Sequence, residues 1–152
     1  MVVKAKRILA VASGGGHWVQ LLRLRPAFEG HDVAYVTVQA SYRVSVPHQR
    51  FYAVTDATRW SRLALLKMVI QVGWIVVRER PDVVISTGAA PGVVALRMGK
   101  WIGARTVWLD SIANVEQMSM SGRRVRGFCD LWLTQWEHLA EDGGPLFRGG
   151  VI

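Results

Sequence analysis

The residues able to do chemistry sit in short clusters, each directly behind an apolar run. The first is Ser13-Gly14-Gly15-Gly16-His17. Three glycines leave bare backbone whose amides can approach an anion or a sugar hydroxyl. His17 opens the segment that follows, and a neutral imidazole there can take a proton from an attacking hydroxyl. The partial positive charge at a helix start favours that neutral form. The same position also suits a helix cap or packing against Trp18, and spacing alone leaves these readings open. A second cluster, Ser86-Thr87-Gly88-Ala89-Ala90-Pro91-Gly92, repeats the theme around another helix start, where an ordinary tight turn is the alternative. Asp110 and Ser111 close a third apolar run. Gln135 and Trp136 follow a fourth, and an exposed tryptophan is a good interface anchor, although a core or capping tryptophan fits equally well. The glycine turn is a poor dinucleotide fingerprint, since alignment on Gly14 and Gly16 places Val19 where a small residue is needed, and no P-loop lysine follows.

The elements that must position these clusters alternate. Strands are expected at residues 7–12, 32–38, 50–54, 82–87, 105–110, 130–134 and within 145–152. Helices are expected at 17–28, 60–79 and 91–102, the last with Pro91 in its first turn. Such alternation implies an α/β, Rossmann-like parallel sheet with helices on both faces. Ligands in such sheets bind beyond the carboxyl ends of the strands, where all four clusters fall.

Composition narrows the function. The 152 residues are expected to form a single domain over 1–152, and the 51% apolar content argues against disorder. Lys and Arg number 19 against 11 Asp and Glu, for a formal charge of +8. Basic chains seek phosphates, nucleic acid or anionic membranes. The arginines are scattered and no aromatic–basic module is readable, so no nucleic-acid partner is expected. The lone Cys129 excludes an intrachain disulfide, fits a reducing compartment and reads as a small buried hydrophobe. No His, Cys or acidic residues fall at a metal-ligand spacing, so neither metal nor cofactor is expected. No signal peptide is evident, and the apolar stretch at residues 63–77 is too short to span a membrane and is interrupted by Lys67 and Gln71.

Three segments together carry a resemblance: SGGGH at the first turn, STGAAPGVVAL at the fourth strand, and VWLDSIANVEQMSMSGRRVRGFCDLWLTQWEHL from Val107. They resemble the membrane-recruiting subunit of the two-chain N-acetylglucosaminyltransferase of lipid-linked oligosaccharide synthesis, and its bacterial PssD-like exopolysaccharide relatives. The Gly-Gly-His turn is shared with the wider MurG-type glycosyltransferases. The joint match of the carboxylate–Ser pair, the S-x-S-G segment at Ser119–Gly122 and the D…QW segment ending at Trp136 is more specific. The family usually has glutamate where Asp110 stands, and eukaryotic members carry an amino-terminal membrane helix that this chain is expected to lack.

The resemblance implies the amino-terminal, acceptor-side half of a glycosyltransferase of the B fold. A second polypeptide would supply the nucleotide-sugar half. The pair would transfer a sugar from a UDP-sugar to a polyprenyl-diphosphate-linked acceptor with inversion. On this reading His17 is the base or an acceptor contact. Gly14, Gly15, Gly16, Thr87 and Gly88 line the acceptor crevice, with Asp110 and Ser111 in second rank or ordering the loop. Gln135 and Trp136 would face the partner. The helix at 60–79 is either buried on most sides or lies on an anionic membrane, with Arg59, Arg62, Arg78 and Arg80 meeting lipid phosphates. The location implied is the inner face of the cytoplasmic membrane, peripherally bound. The alternative is a scaffold that binds membrane and partner while all chemistry lies on the other chain.

Overall fold

The computed structural model describes residues 3–58 and 60–151; Arg59, one of the expected lipid contacts, lies outside the described residues. Seven parallel strands form one sheet in the order β3-β2-β1-β4-β5-β6-β7. They are β1 Arg7–Ala12, β2 Asp32–Thr37, β3 Arg50–Ala53, β4 Val83–Gly88, β5 Arg105–Leu109, β6 Leu131–Thr134 and β7 Leu146–Phe147. Their period-two alternation feeds two cores. Leu9 and Val11 of β1, with Ala34 and Val36 of β2, pack beneath α2 (Arg62–Glu79) and α3 (Ala90–Trp101). Ile8, Ala10 and Ala12, with Val33 and Tyr35, pack on the opposite face beneath α1 (Gly16–Arg23). Burial on both faces is what a parallel sheet with helical crossovers requires. The α/β, Rossmann-like parallel sheet with helices on both faces expected from the sequence is therefore the one found.

Three boundaries differ for physical reasons. The helix expected to run to Phe28 stops at Arg23, and a 3-10 turn, Arg25–Phe28, replaces its end. Pro26 removes a backbone donor and disfavours helical geometry at the residue before it. The long helix starts at Arg62, because Ser61 accepts from the Ala64 amide at 3.3 Å and caps it, and it ends where Arg80 turns left-handed at φ 44°. The last strand shrinks to two residues. A short helix, α4 (Met120–Val125), was not anticipated; it is capped by Ser119 Oγ accepting from the Gly122 amide at 2.8 Å.

The strand order reverses between β1 and β4. The chain leaves β1 into α1 on one face and leaves β4 into α3 on the other, so the two connections part and open a crevice at the carboxyl ends.

Candidate functional site

That crevice is where His17 and Gly88 meet. Gly15 takes φ 65° to swing the chain from β1 into α1, and its amide donates to the Tyr42 hydroxyl at 3.0 Å. Tyr42 in turn stacks on Trp18, with ring centroids 5.3 Å apart. The aromatic pair fixes the glycine turn from below. The first amides of α1 are left for a ligand, since a helix start provides no intrahelical acceptors for them. Gly15 and Gly16 are exposed and Gly14 is half-buried, so this backbone is open to the crevice.

His17 is half-buried in the first turn of α1. Its Nδ1 lies 2.9 Å from the Thr87 carbonyl oxygen. A carbonyl can only accept, so Nδ1 carries a proton and donates, and in the neutral ring the lone pair is then on Nε2. Thr87 closes the contact from its other side, its hydroxyl donating to the His17 carbonyl at 2.6 Å. Gly88 lies against the ring, and a Cβ there would sit 2.5 Å from Nδ1. The carboxyl end of β4 thus clamps the imidazole in one tautomer.

Thr87 was expected to contact the acceptor. It is fully buried and its hydroxyl already has a partner, so its role is to hold His17. Gly88, expected to line the same crevice, makes room for the imidazole by lacking a side chain.

Asp110 and Ser111 were also expected to touch the acceptor, and both are buried. One Asp110 oxygen, Oδ1, accepts from Trp108 Nε1 at 3.0 Å and Ser119 Oγ at 2.5 Å. The other, Oδ2, accepts from Asn114 Nδ2 at 3.2 Å and the Ser119 amide at 2.7 Å. Four donors leave the carboxylate no capacity for a ligand, and it organises the loop from β5 to α4 instead. Ser111 Oγ accepts from Gln20 Nε2 and from the Ala113 amide, each at 3.2 Å.

Gln135, expected at a partner interface, is only 5% exposed. Its Nε2 donates to Gln20 Oε1 at 2.5 Å and to the Asp110 carbonyl at 2.9 Å, while its Oε1 accepts from the Val151 amide at 2.7 Å. Trp136 is half-buried and donates from Nε1 to the Ile112 carbonyl at 2.8 Å. These two residues tie loops together and do not present a free anchor. Gln20, missed from the sequence, joins α1 to the ends of β5 and β6. Its signal is one polar residue between Trp18 and Leu21 on a helix face that is otherwise apolar and buried.

On the opposite side of the sheet from α1, helix α2 buries Met68, Val72, Ile75 and Val76 and exposes Leu63, Leu65, Leu66, Ile70, Trp74 and Val77. Leu63, Leu66, Ile70, Trp74 and Val77 recur every three or four residues and form one face, with Leu65 beside it. Ile102, exposed at the end of α3, lines one hollow with Val77 and extends the apolar surface. Burial on most sides is therefore overturned. No described helix is long and apolar enough to cross a membrane.

Comparison with known proteins places this geometry. The family model described as "Oligosaccharide biosynthesis protein Alg14 like" matches residues 33–144. The UDP-N-acetylglucosamine transferase subunit ALG14 of Yarrowia lipolytica is 34% identical over 143 residues, covering 90% of this chain and 63% of the relative. The subunit of the same name from Mus musculus is 26% identical, with 89% of this chain and 77% of the relative covered. The chain thus spans under two thirds of the Yarrowia protein. In fold, it superposes on Acinetobacter baumannii MurG with a TM-score of 0.76 at 11% identity, covering 95% of this chain and 46% of MurG. A UDP-N-acetylglucosamine 2-epimerase matches with a TM-score of 0.66 at 7% identity, over 87% of this chain and 42% of the epimerase. Since the family model takes in most of the sequence, the chain belongs to the Alg14-like family of oligosaccharide biosynthesis proteins.

Proposed function

We propose that this chain is the acceptor-side subunit of a two-chain inverting glycosyltransferase, moving a sugar from a UDP-sugar to a polyprenyl-diphosphate-linked acceptor. The observation that carries the reading is the clamped His17, whose Nδ1 donates to the Thr87 carbonyl and whose Nε2 has no hydrogen bond to another described residue. An acceptor hydroxyl against Nε2 loses its proton to the imidazole as its oxygen bonds to the anomeric carbon. The bond from that carbon to the UDP oxygen breaks, and UDP leaves with the electron pair. The open amides of the glycine turn face the acceptor or its diphosphate. A companion polypeptide with a nucleotide-sugar domain closes over the carboxyl edge, as the relatives' name of transferase subunit suggests.

The lipid acceptor fits the apolar face of α2. That helix follows β3, so its Leu63 end lies at the same edge as His17 and its Val77 end at the far one. With Arg62, Lys67, Arg78 and Arg80 on the same helix and its ends, the face suits an anionic bilayer, peripherally bound at the inner side of the cytoplasmic membrane. This same surface favours the second reading, a scaffold that holds membrane and partner and contributes no catalytic group. His17→Ala, assayed in the reconstituted pair, separates the two. A base predicts a loss of about a hundredfold or more in turnover with pair formation intact. Near-normal turnover leaves only the scaffold.

A further inference from the structure

A cleft of about 300 Å³ lies on the α1 face of the sheet, away from the crevice. Its walls come from the 3-10 turn after α1, the start and middle of β2, and the segment 45–49 that leads into β3. Arg25, His31, Tyr35 and His48 line it beside an apolar wall that includes Phe28 and Val46. Nothing in the proposed transfer uses these groups.

Tyr35 is the decisive residue. Its ring is buried edge-on to Trp18, with centroids 5.8 Å apart, while the residue lines the cleft and its hydroxyl makes no hydrogen bond to another described residue, so that the donor is available to a ligand there. Burial raises its pKa, with the nearby Arg25 charge opposing, so the hydroxyl remains a donor at neutral pH. His31 is oriented as well. Its Nδ1 accepts from the Lys6 amide at 3.0 Å, which places a proton on Nε2 and makes that atom a second donor. Arg25 is anchored by one Nη1 bond to the Ser45 carbonyl at 2.9 Å, and the rest of its fork has no hydrogen bond to the other described residues. Glu29 supplies a carboxylate on the rim.

We propose that this cleft binds the phosphate group of a small phosphorylated molecule. The guanidinium comes from the 3-10 turn, and the imidazole N–H and the phenol from the start and middle of β2, a set of donors suited to a multi-oxygen tetrahedral anion. Glu29 is placed to accept from a hydroxyl of the carrier, and Phe28 and Val46 to cover its carbon frame. The site does not depend on the transferase reading.

The test is an NMR titration of the full chain in neutral detergent micelles with inorganic phosphate and, separately, glycerol 3-phosphate. Saturable shifts confined to residues 25–35 and 45–49 are expected. Arg25→Gln should weaken binding about tenfold or more, and Tyr35→Phe, which removes only the hydroxyl, about three- to tenfold. Shifts spread over the surface arginines, or binding unchanged in Tyr35→Phe, would overturn the assignment. A third arm uses vesicles containing phosphatidic acid. Binding there that is sensitive to Arg25→Gln, without a response to either soluble phosphate, would also overturn it, because the phosphate would then belong to a lipid.

Discussion

Replacing Gly88 by alanine tests the clamp on His17 without touching the histidine. Gly88 sits at φ 126°, where an L side chain is strained by about 1–2 kcal/mol. The added methyl would meet His17 Nδ1 at 2.5 Å and Cε1 at 2.6 Å, against an ordinary contact that starts at 3.4 Å. The imidazole must therefore retreat by about 1 Å, which breaks its 2.9 Å bond to the Thr87 carbonyl, and a misplacement of that size costs about a hundredfold in rate. Gly103→Ala is the control: φ is 88° there, with nothing within 4 Å of the new methyl. Urea denaturation of each variant and turnover of each reconstituted pair give the comparison. Both variants should lose about 1–3 kcal/mol of stability, and Gly88→Ala alone should lose turnover. Gly88→Ala pairs working within about threefold of wild type, where about a hundredfold is expected, would refute the clamp. So would equal losses of turnover in both variants.

Asp110→Asn should destabilise the chain by about 3 kcal/mol or more, because the amide turns two donors toward donors that a buried carboxylate now satisfies. A loss under about 1 kcal/mol in urea would show that the loop from β5 to α4 is held by other contacts. The Lys100 ammonium, hydrogen-bonded to Asp130, lowers that carboxyl's pKa, helped by the Thr106 amide and hydroxyl and opposed by partial burial. A depressed folded pKa means the stabilisation is present above the unfolded value near about 4 and is lost as pH falls through the folded one. The stability gap between wild type and Asp130→Asn should therefore close as the pH drops below about 4. A gap that stays constant into that acid range would contradict the pairing. On α2, Ile70→Glu combined with Trp74→Glu should lower sedimentation with anionic vesicles about tenfold or more. Equal sedimentation of the variant at low salt would remove this face from the bilayer.

The sheet was legible because its signal is local. Leu9 and Val11 alternate with Ile8 and Ala10, and burial on both faces turns that alternation into an unbroken apolar run. Residues 13–17 were legible as a strand-to-helix turn because a triple glycine between two apolar runs frees the backbone there. What escaped depends on contacts between distant segments. Thr87 and Asp110 look like free polar groups in the sequence, and only the fold shows their oxygens occupied by His17 and Ser119. Gln135 looked like an interface residue because its partners, Gln20 and the Val151 amide, lie 115 and 16 residues away. Helix α2 misled in a different way. Its nearly uniform apolarity is compatible with burial on all sides, and only the packing of α3 on one flank reveals the bare face.

The most direct measurement assays transfer from a UDP-sugar to a polyprenyl-diphosphate acceptor with this chain alone, with a candidate companion subunit alone, and with both together. Turnover is expected only in the mixture if, as proposed, a second polypeptide supplies the nucleotide-sugar half that covers the crevice at His17. Transfer at an ordinary enzymatic rate by the isolated chain would contradict the two-chain reading outright.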